Sequence, residues 1–141
     1  MTDPVALARE FYDAYNARDP AQIRAILAAG YHHRRNATII EGADNYIAFF
    51  EREWANRPDG LITVKHAIPA GTGFVVEGAW TVTSNTPLTL PSGTILQPTG
   101  KTASLPFASV GQVRDGVLAS DVMYYDTMSF WRELGHRITV E

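Results

Sequence analysis

"VRDGVLASDVMYYD", residues 113–126, carries the signals that decide the architecture. Asp115-Gly116 sits between two runs rich in β-branched and aromatic residues, which marks a two-residue hairpin turn between antiparallel strands. Alternation along the second strand puts Ala119, Asp121, Met123 and Tyr125 on one face, and Leu118, Ser120, Val122 and Tyr124 on the other. Asp121 then lies among apolar neighbours. A carboxylate buried there without partners is pushed toward its neutral form, the setting of an acid/base group. The opposite register turns Leu118, Ser120, Val122 and Tyr124 inward and leaves Asp121 in solvent.

Further strands precede this hairpin. "LITVKHAI" (61–68) alternates, with Ile62, Val64, His66 and Ile68 on one face, and "GFVVEGAWTVTS" (73–84) follows the turn "PAGTG". "NTPLTLPSGTILQPTG" (85–100), with three Pro and two Gly, reads as a long loop or loose hairpin that acts as a lid or a subunit contact. The N-terminal half reads as helices. Asp3 and Pro4 open one in which Leu7, Phe11 and Tyr15 form a stripe. Asp19 and Pro20 open a second, "DPAQIRAILAAG", that ends at Gly30. "YHHRRNATII" (31–40) reads as one extended segment. A third helix follows, with Tyr46, Phe49, Phe50 and Trp54 on one face, stopped by Pro58-Asp59-Gly60. A short helix, "MSFWRELG", closes the chain, with Asp126 as its cap. Three helices, then four to five strands, make an α+β domain spanning 1–141, with the helices gathered on one face of an antiparallel sheet.

Composition narrows the function. With 45% hydrophobic residues the chain can bury a core, and a net charge of −3 argues against nucleic acid as a partner. The absence of cysteine excludes disulfides, thiolate metal sites and a Cys nucleophile, and suits the cytoplasm. No signal peptide and no membrane-spanning run are expected.

The ordered set of segments resembles the SnoaL-like polyketide cyclases of the NTF2-like superfamily. "FYDAYNARD" (11–19) resembles the family's opening helix, "YHH" (31–33) its segment after the second helix, and "EGADNYIAFF" (41–50) its third helix. "RPDG" (57–60) resembles the turn that follows, and "QPTGKTASLPF" (97–107) the turn into a long strand. "VRDGVLASDVMYYD" and "FWRELG" (130–135) resemble the last hairpin and closing helix. The resemblance implies a cone: a curved antiparallel sheet whose concave face is covered by three N-terminal helices. It also implies ring closure by an intramolecular aldol step, or a related isomerisation or dehydration, with no cofactor or metal. Asp121 would be the acid/base, on an apolar, carbonyl-bearing small molecule. A homodimer is usual in the family, and the exposed face of an open sheet gives a reason to pair. The last strand also resembles that of limonene-epoxide hydrolases, whose cavity-facing Asp falls on Met123. Their other charged pair falls near Gly78 and Trp80, so that chemistry is not expected and Trp80 becomes a pocket wall.

Parity on a strand gives Tyr31, His33 and Arg35 one face, and His32, Arg34 and Asn36 the other. Each face holds a single His, so a metal is not expected. Tyr31 and His33, which match water-holding positions of the epoxide hydrolases, are expected to face the pocket as hydrogen-bonding partners. His33 either polarises a carbonyl or is a buried His bonded to backbone. Arg35 is expected past the pocket rim, paired with Glu41 or Asp44. Tyr15, Phe50, Trp54, His66, Trp80, Phe107, Met123 and Tyr125 are the expected pocket residues, His66 reading more readily as a satisfied core His than as a catalytic one. Two other readings stay open: a non-catalytic small-molecule-binding protein with the same pocket, and a structural dimer module whose own aromatics fill it.

Overall fold

The computed structural model describes residues 2–90, 92–137 and 139. Helix α1 (Pro4–Asn16) begins where Asp3 accepts from the Val5 N–H at 3.0 Å, and α2 (Pro20–Ile26) where Asp19 accepts from the Gln22 N–H at 3.0 Å. Strand β1 (Leu27–Arg35) starts at once, so α2 stops four residues short of Gly30, where the sequence suggests it ends. Leu27 is extended, 6% exposed, and pairs with Leu118 of the last strand; burial in the sheet outweighs its helix propensity. The expected single extended segment is in fact a hairpin. The chain turns at Asn36, in the left-handed region (φ 50°) that Asn tolerates, and returns as β2 (Thr38–Glu41).

Helix α3 (Ala43–Asn56) leads to the long strands β3 (Leu61–Ala70) and β4 (Gly73–Thr83), then a small hairpin, β5 (Leu88–Thr89) with β6 (Ile95–Leu96). Strands β7 (Thr102–Arg114) and β8 (Val117–Tyr125) are joined at Asp115-Gly116, both at positive φ as a type I′ turn requires. Helix α4 (Thr127–Glu133) is capped by Asp126, which accepts from the Ser129 N–H at 3.1 Å. Among the described residues, no helix is long and apolar enough to cross a membrane.

The main sheet has six strands in the order β2-β1-β8-β7-β4-β3, with α1 and α3 packed on its concave face. It is the α+β cone the sequence suggests, with one correction: the sheet is mixed. β1 and β8 run parallel, because the whole of the intervening sheet connects them and brings β8 back in the direction of β1.

Two bulges change which side chains face inward. In β3, Val64 pairs with Gly78 but His66 with Glu77, so Lys65 is an extra residue and the alternation inverts. Ile62, Val64 and Ala67 pack inward, while Ile68 is 56% exposed and His66 is exposed; the expected shared face does not continue past Val64. In β8, Ser120 pairs with Gln112 but Leu118 with Val113, so Ala119 is extra. Leu118 is therefore fully buried together with Asp121, although simple parity separates them.

On the outer face the register aligns Ile68, Val75, Val110, Val122, Arg34 and Ile39 in one row across all six strands. Of these, Ile39, Ile68 and Val110 are exposed. On the inner face, Phe74 lies over Gly111, where a Cβ would sit 2.1 Å from the ring. Phe74 is 2% exposed and has no room to retreat. Gly111→Ala should therefore lower stability by about 1–3 kcal/mol, read as a drop in the urea midpoint at unchanged slope.

Candidate active site

Between the inner faces of α1 and α3 and the concave sheet lies a cavity of about 400 Å³. The amphipathic stripes of both helices deliver aromatic rings to it: Phe11, Tyr12 and Tyr15 from α1, and Tyr46, Phe49 and Phe50 from α3. Trp80, Phe107, Met123 and Tyr125 line it from the strands, and Phe130 and Trp131 from α4. Leu88 of the small hairpin also reaches the cavity, so the Pro-rich segment contributes a wall.

Six of the expected pocket residues line this cavity: Tyr15, Phe50, Trp80, Phe107, Met123 and Tyr125. Two do not. The bulge at Lys65 turns His66 outward. Trp54 lies one turn beyond Phe50, stacked on it with centroids 6.0 Å apart, and backs Tyr15 rather than facing the space.

Asp121, His33 and Tyr31 do come together, but beneath the cavity floor. The Tyr31 hydroxyl donates to Asp121 Oδ1 at 2.5 Å, His33 Nδ1 lies 2.7 Å from the same oxygen, and the Ser109 hydroxyl donates to Oδ2 at 2.8 Å. Asp121 is 4% exposed and His33 and Ser109 are fully buried; none of the four is a lining residue. The carboxylate thus has three partners. The Tyr46 ring forms the floor between them and the cavity, stacked on His33 at 4.4 Å and on Tyr31 at 5.4 Å.

Arg35 links this layer to the cavity. It is not past the rim: Glu41 faces His32 at 3.5 Å, and Asp44 pairs with Arg24. As the third residue on the inner face of β1, Arg35 lines the cavity, with its guanidinium over the Phe49 ring at 4.4 Å. Its Nε donates to His33 Nε2 at 2.9 Å. That nitrogen must therefore be an acceptor, so His33 carries its proton on Nδ1, and Nδ1–H donates a hydrogen bond to Asp121.

Opposite Arg35 stands Glu53 of α3, with Oε2 3.8 Å from Arg35 Nη1. The Tyr15 hydroxyl donates to Glu53 Oε1 and accepts from Trp80 Nε1 at 3.1 Å. Burial raises the Glu53 carboxyl above the ordinary carboxylate range; Arg35, the Tyr15 hydroxyl, Arg18 and His33 oppose this without cancelling it. Burial and the Asp121 charge hold the Tyr46 hydroxyl well above its usual range, so it stays a donor.

Sequence reasoning missed Glu53, Arg35, Tyr12 and Tyr46 as groups presenting chemistry to the cavity. One signal was available. Glu53 lies three residues after Phe50 and seven after Tyr46, which puts a carboxylate on the apolar stripe of α3.

A family model described as a SnoaL-like domain matches residues 8–121. No curated protein sequence matches the chain. Among solved structures, the chain is similar to IdmH of Streptomyces antibioticus, provisionally described as a polyketide cyclase. The TM-score is 0.81 at 17% identity, over 95% of this chain and 99% of that one. It is similar to a protein of Jannaschia sp. CCS1, provisionally described as a SnoaL-like polyketide cyclase (TM-score 0.80, 16% identity, 96% and 93% covered). It is also similar to TsrD of Streptomyces laurentii (TM-score 0.77, 22% identity, 92% of each chain). At these identities the likeness is one of fold.

Proposed function

The chain belongs to the SnoaL-like domain family, and we propose that it is a cofactor-independent acid/base enzyme acting on an apolar, carbonyl-bearing small molecule such as a polyketide. The reaction is an aldol-type cyclisation or a related isomerisation. The observation that carries this reading is the pairing of one partly buried carboxylate, Glu53, with a guanidinium, Arg35, in a cavity walled largely by aromatic rings. Aromatic walls hold the carbon skeleton and exclude water, which strengthens each charge inside.

Glu53 removes the proton next to a carbonyl. The negative charge that develops on the carbonyl oxygen is met by the Arg35 guanidinium and the Tyr46 hydroxyl. In an aldol closure the enolate carbon attacks a second carbonyl of the same molecule, and the new alkoxide takes the proton back from Glu53. The Tyr15 hydroxyl fixes the carboxylate. Asp121 is a positioning residue here: through His33 it holds Arg35 in place.

The test needs no knowledge of the natural substrate. Exchange of the α-protons of 2-tetralone in D₂O, followed by NMR, reads the first step alone. Wild type should accelerate exchange. Because Glu53 must be ionised to act, the rate should fall as pH is lowered through its raised pKa, an inflection above that of an ordinary glutamate. The groups around it that set this value are Tyr15, Arg35, Arg18 and His33. Saturable binding of 2-tetralone with no acceleration at any pH would leave a binding protein and overturn the enzyme reading.

A further inference from the structure

The charged residues lining the cavity, among those described, are Arg35, Arg52, Arg57 and Glu53: three cations and one carboxylate, in a protein whose net charge is −3. Arg35 is matched by Glu53. Arg57 has no such match. It is 5% exposed and follows the last turn of α3, where its backbone N–H closes on Glu53 O at 2.8 Å. Its Nη1 donates to neutral oxygens alone: Asn56 O at 3.2 Å, Thr86 O at 3.4 Å and Thr86 Oγ1 at 3.1 Å. Its Nε and Nη2 make no hydrogen bond among the described residues, and no carboxylate of those residues lies within ion-pair distance. A guanidinium held this way keeps its desolvation cost without a counter-charge, and burial lowers its pKa, the Asp59 charge offsetting part of that. Helix capping and the contact with Thr86 need a donor, but they do not need a cation.

Resting on the reading of the cavity as the reaction site, we infer that its ligand carries a carboxylate, received by the free edge of the Arg57 guanidinium. The planar fork of Arg matches the two oxygens of a carboxylate. Arg52, exposed and also lining the cavity, adds a second positive charge on the same helix. The ligand would then lie with its rings among the aromatics, its reacting carbonyl toward Arg35 and Glu53, and its acid group at the end of α3. The substrate class narrows to apolar ring or ring-forming compounds bearing a free acid, rather than the corresponding esters.

The experiment compares 2-naphthoate with methyl 2-naphthoate by titration calorimetry. Wild type should bind the acid about tenfold or more tightly than the ester, and rising sodium chloride should narrow that ratio. In Arg57→Gln the ratio should fall to near one with ester affinity kept. Arg57→Lys, which keeps the charge but loses the fork, should give an intermediate ratio and stands in if the Gln variant does not fold. A ratio near one in wild type overturns the inference. So does an acid preference that survives Arg57→Gln and disappears in Arg52→Gln. Binding of neither probe overturns both this inference and the reading of the cavity as a site for apolar rings. An intact acid preference without 2-tetralone exchange removes the enzyme reading alone.

Discussion

Glu53→Gln should remove the acceleration of 2-tetralone exchange by about 10²–10⁴-fold, the usual contribution of a positioned general base. The substitution keeps the shape of the side chain and its hydrogen bond from the Tyr15 hydroxyl, so affinity for the neutral ketone should change little. It also removes the counter-charge of Arg35, 3.8 Å away. Because Arg35 remains bound to His33 Nε2 and stacked on Phe49, the fold should hold, and the melting temperature should shift by a few degrees at most. A rate within threefold of wild type would remove Glu53 from the mechanism.

Asp121→Ala should act first on stability, lowering it by about 3–5 kcal/mol, as loss of one partner from a buried charged cluster does. Three buried donors would lose their acceptor: the Tyr31 hydroxyl, His33 Nδ1–H and the Ser109 hydroxyl, on residues no more than 1% exposed. Urea unfolding measures this directly. Asp121→Asn keeps the volume and separates the two chemical roles a buried acid can have. If Asp121 positions Arg35 through His33, the Asn variant should be slower but keep the acid-side inflection of the wild-type pH profile, while Glu53→Gln should lose it. The reverse pattern, an inflection lost in Asp121→Asn and kept in Glu53→Gln, would make Asp121 the base and end the assignment to Glu53.

Of these two carboxylates, Asp121 was legible in the chain as a candidate and Glu53 was not. Asp121 stands out in its strand as an acid among apolar neighbours, and strand parity puts Tyr31, His33 and Arg35 on one face, so that Tyr31 and His33 reach it and Arg35 reaches His33. The partners of Asp121 are what parity cannot give. Tyr31 and His33 reach it through the parallel pairing of β1 with β8, and Ser109 through the antiparallel pairing of β7 with β8. Those contacts turn a carboxylate that sequence reads as exposed to the pocket into one saturated beneath it.

The caps Asp3, Asp19 and Asp126, the Asp115-Gly116 hairpin, the aromatic stripes of α1 and α3, and the order of helices and strands follow from the sequence, because each depends on residues a few positions apart. The tertiary structure decided the end of α2, the mixed sheet, and the bulges at Lys65 and Ala119 that turn His66 out and Leu118 in. It also decided that Glu53 and Arg35, far apart in the chain, face each other across one cavity. Local rules fix a residue's place on its own element. Which elements meet, and in what register, is set by burial summed over the whole sheet, and the candidate chemistry of this protein lies at those meetings.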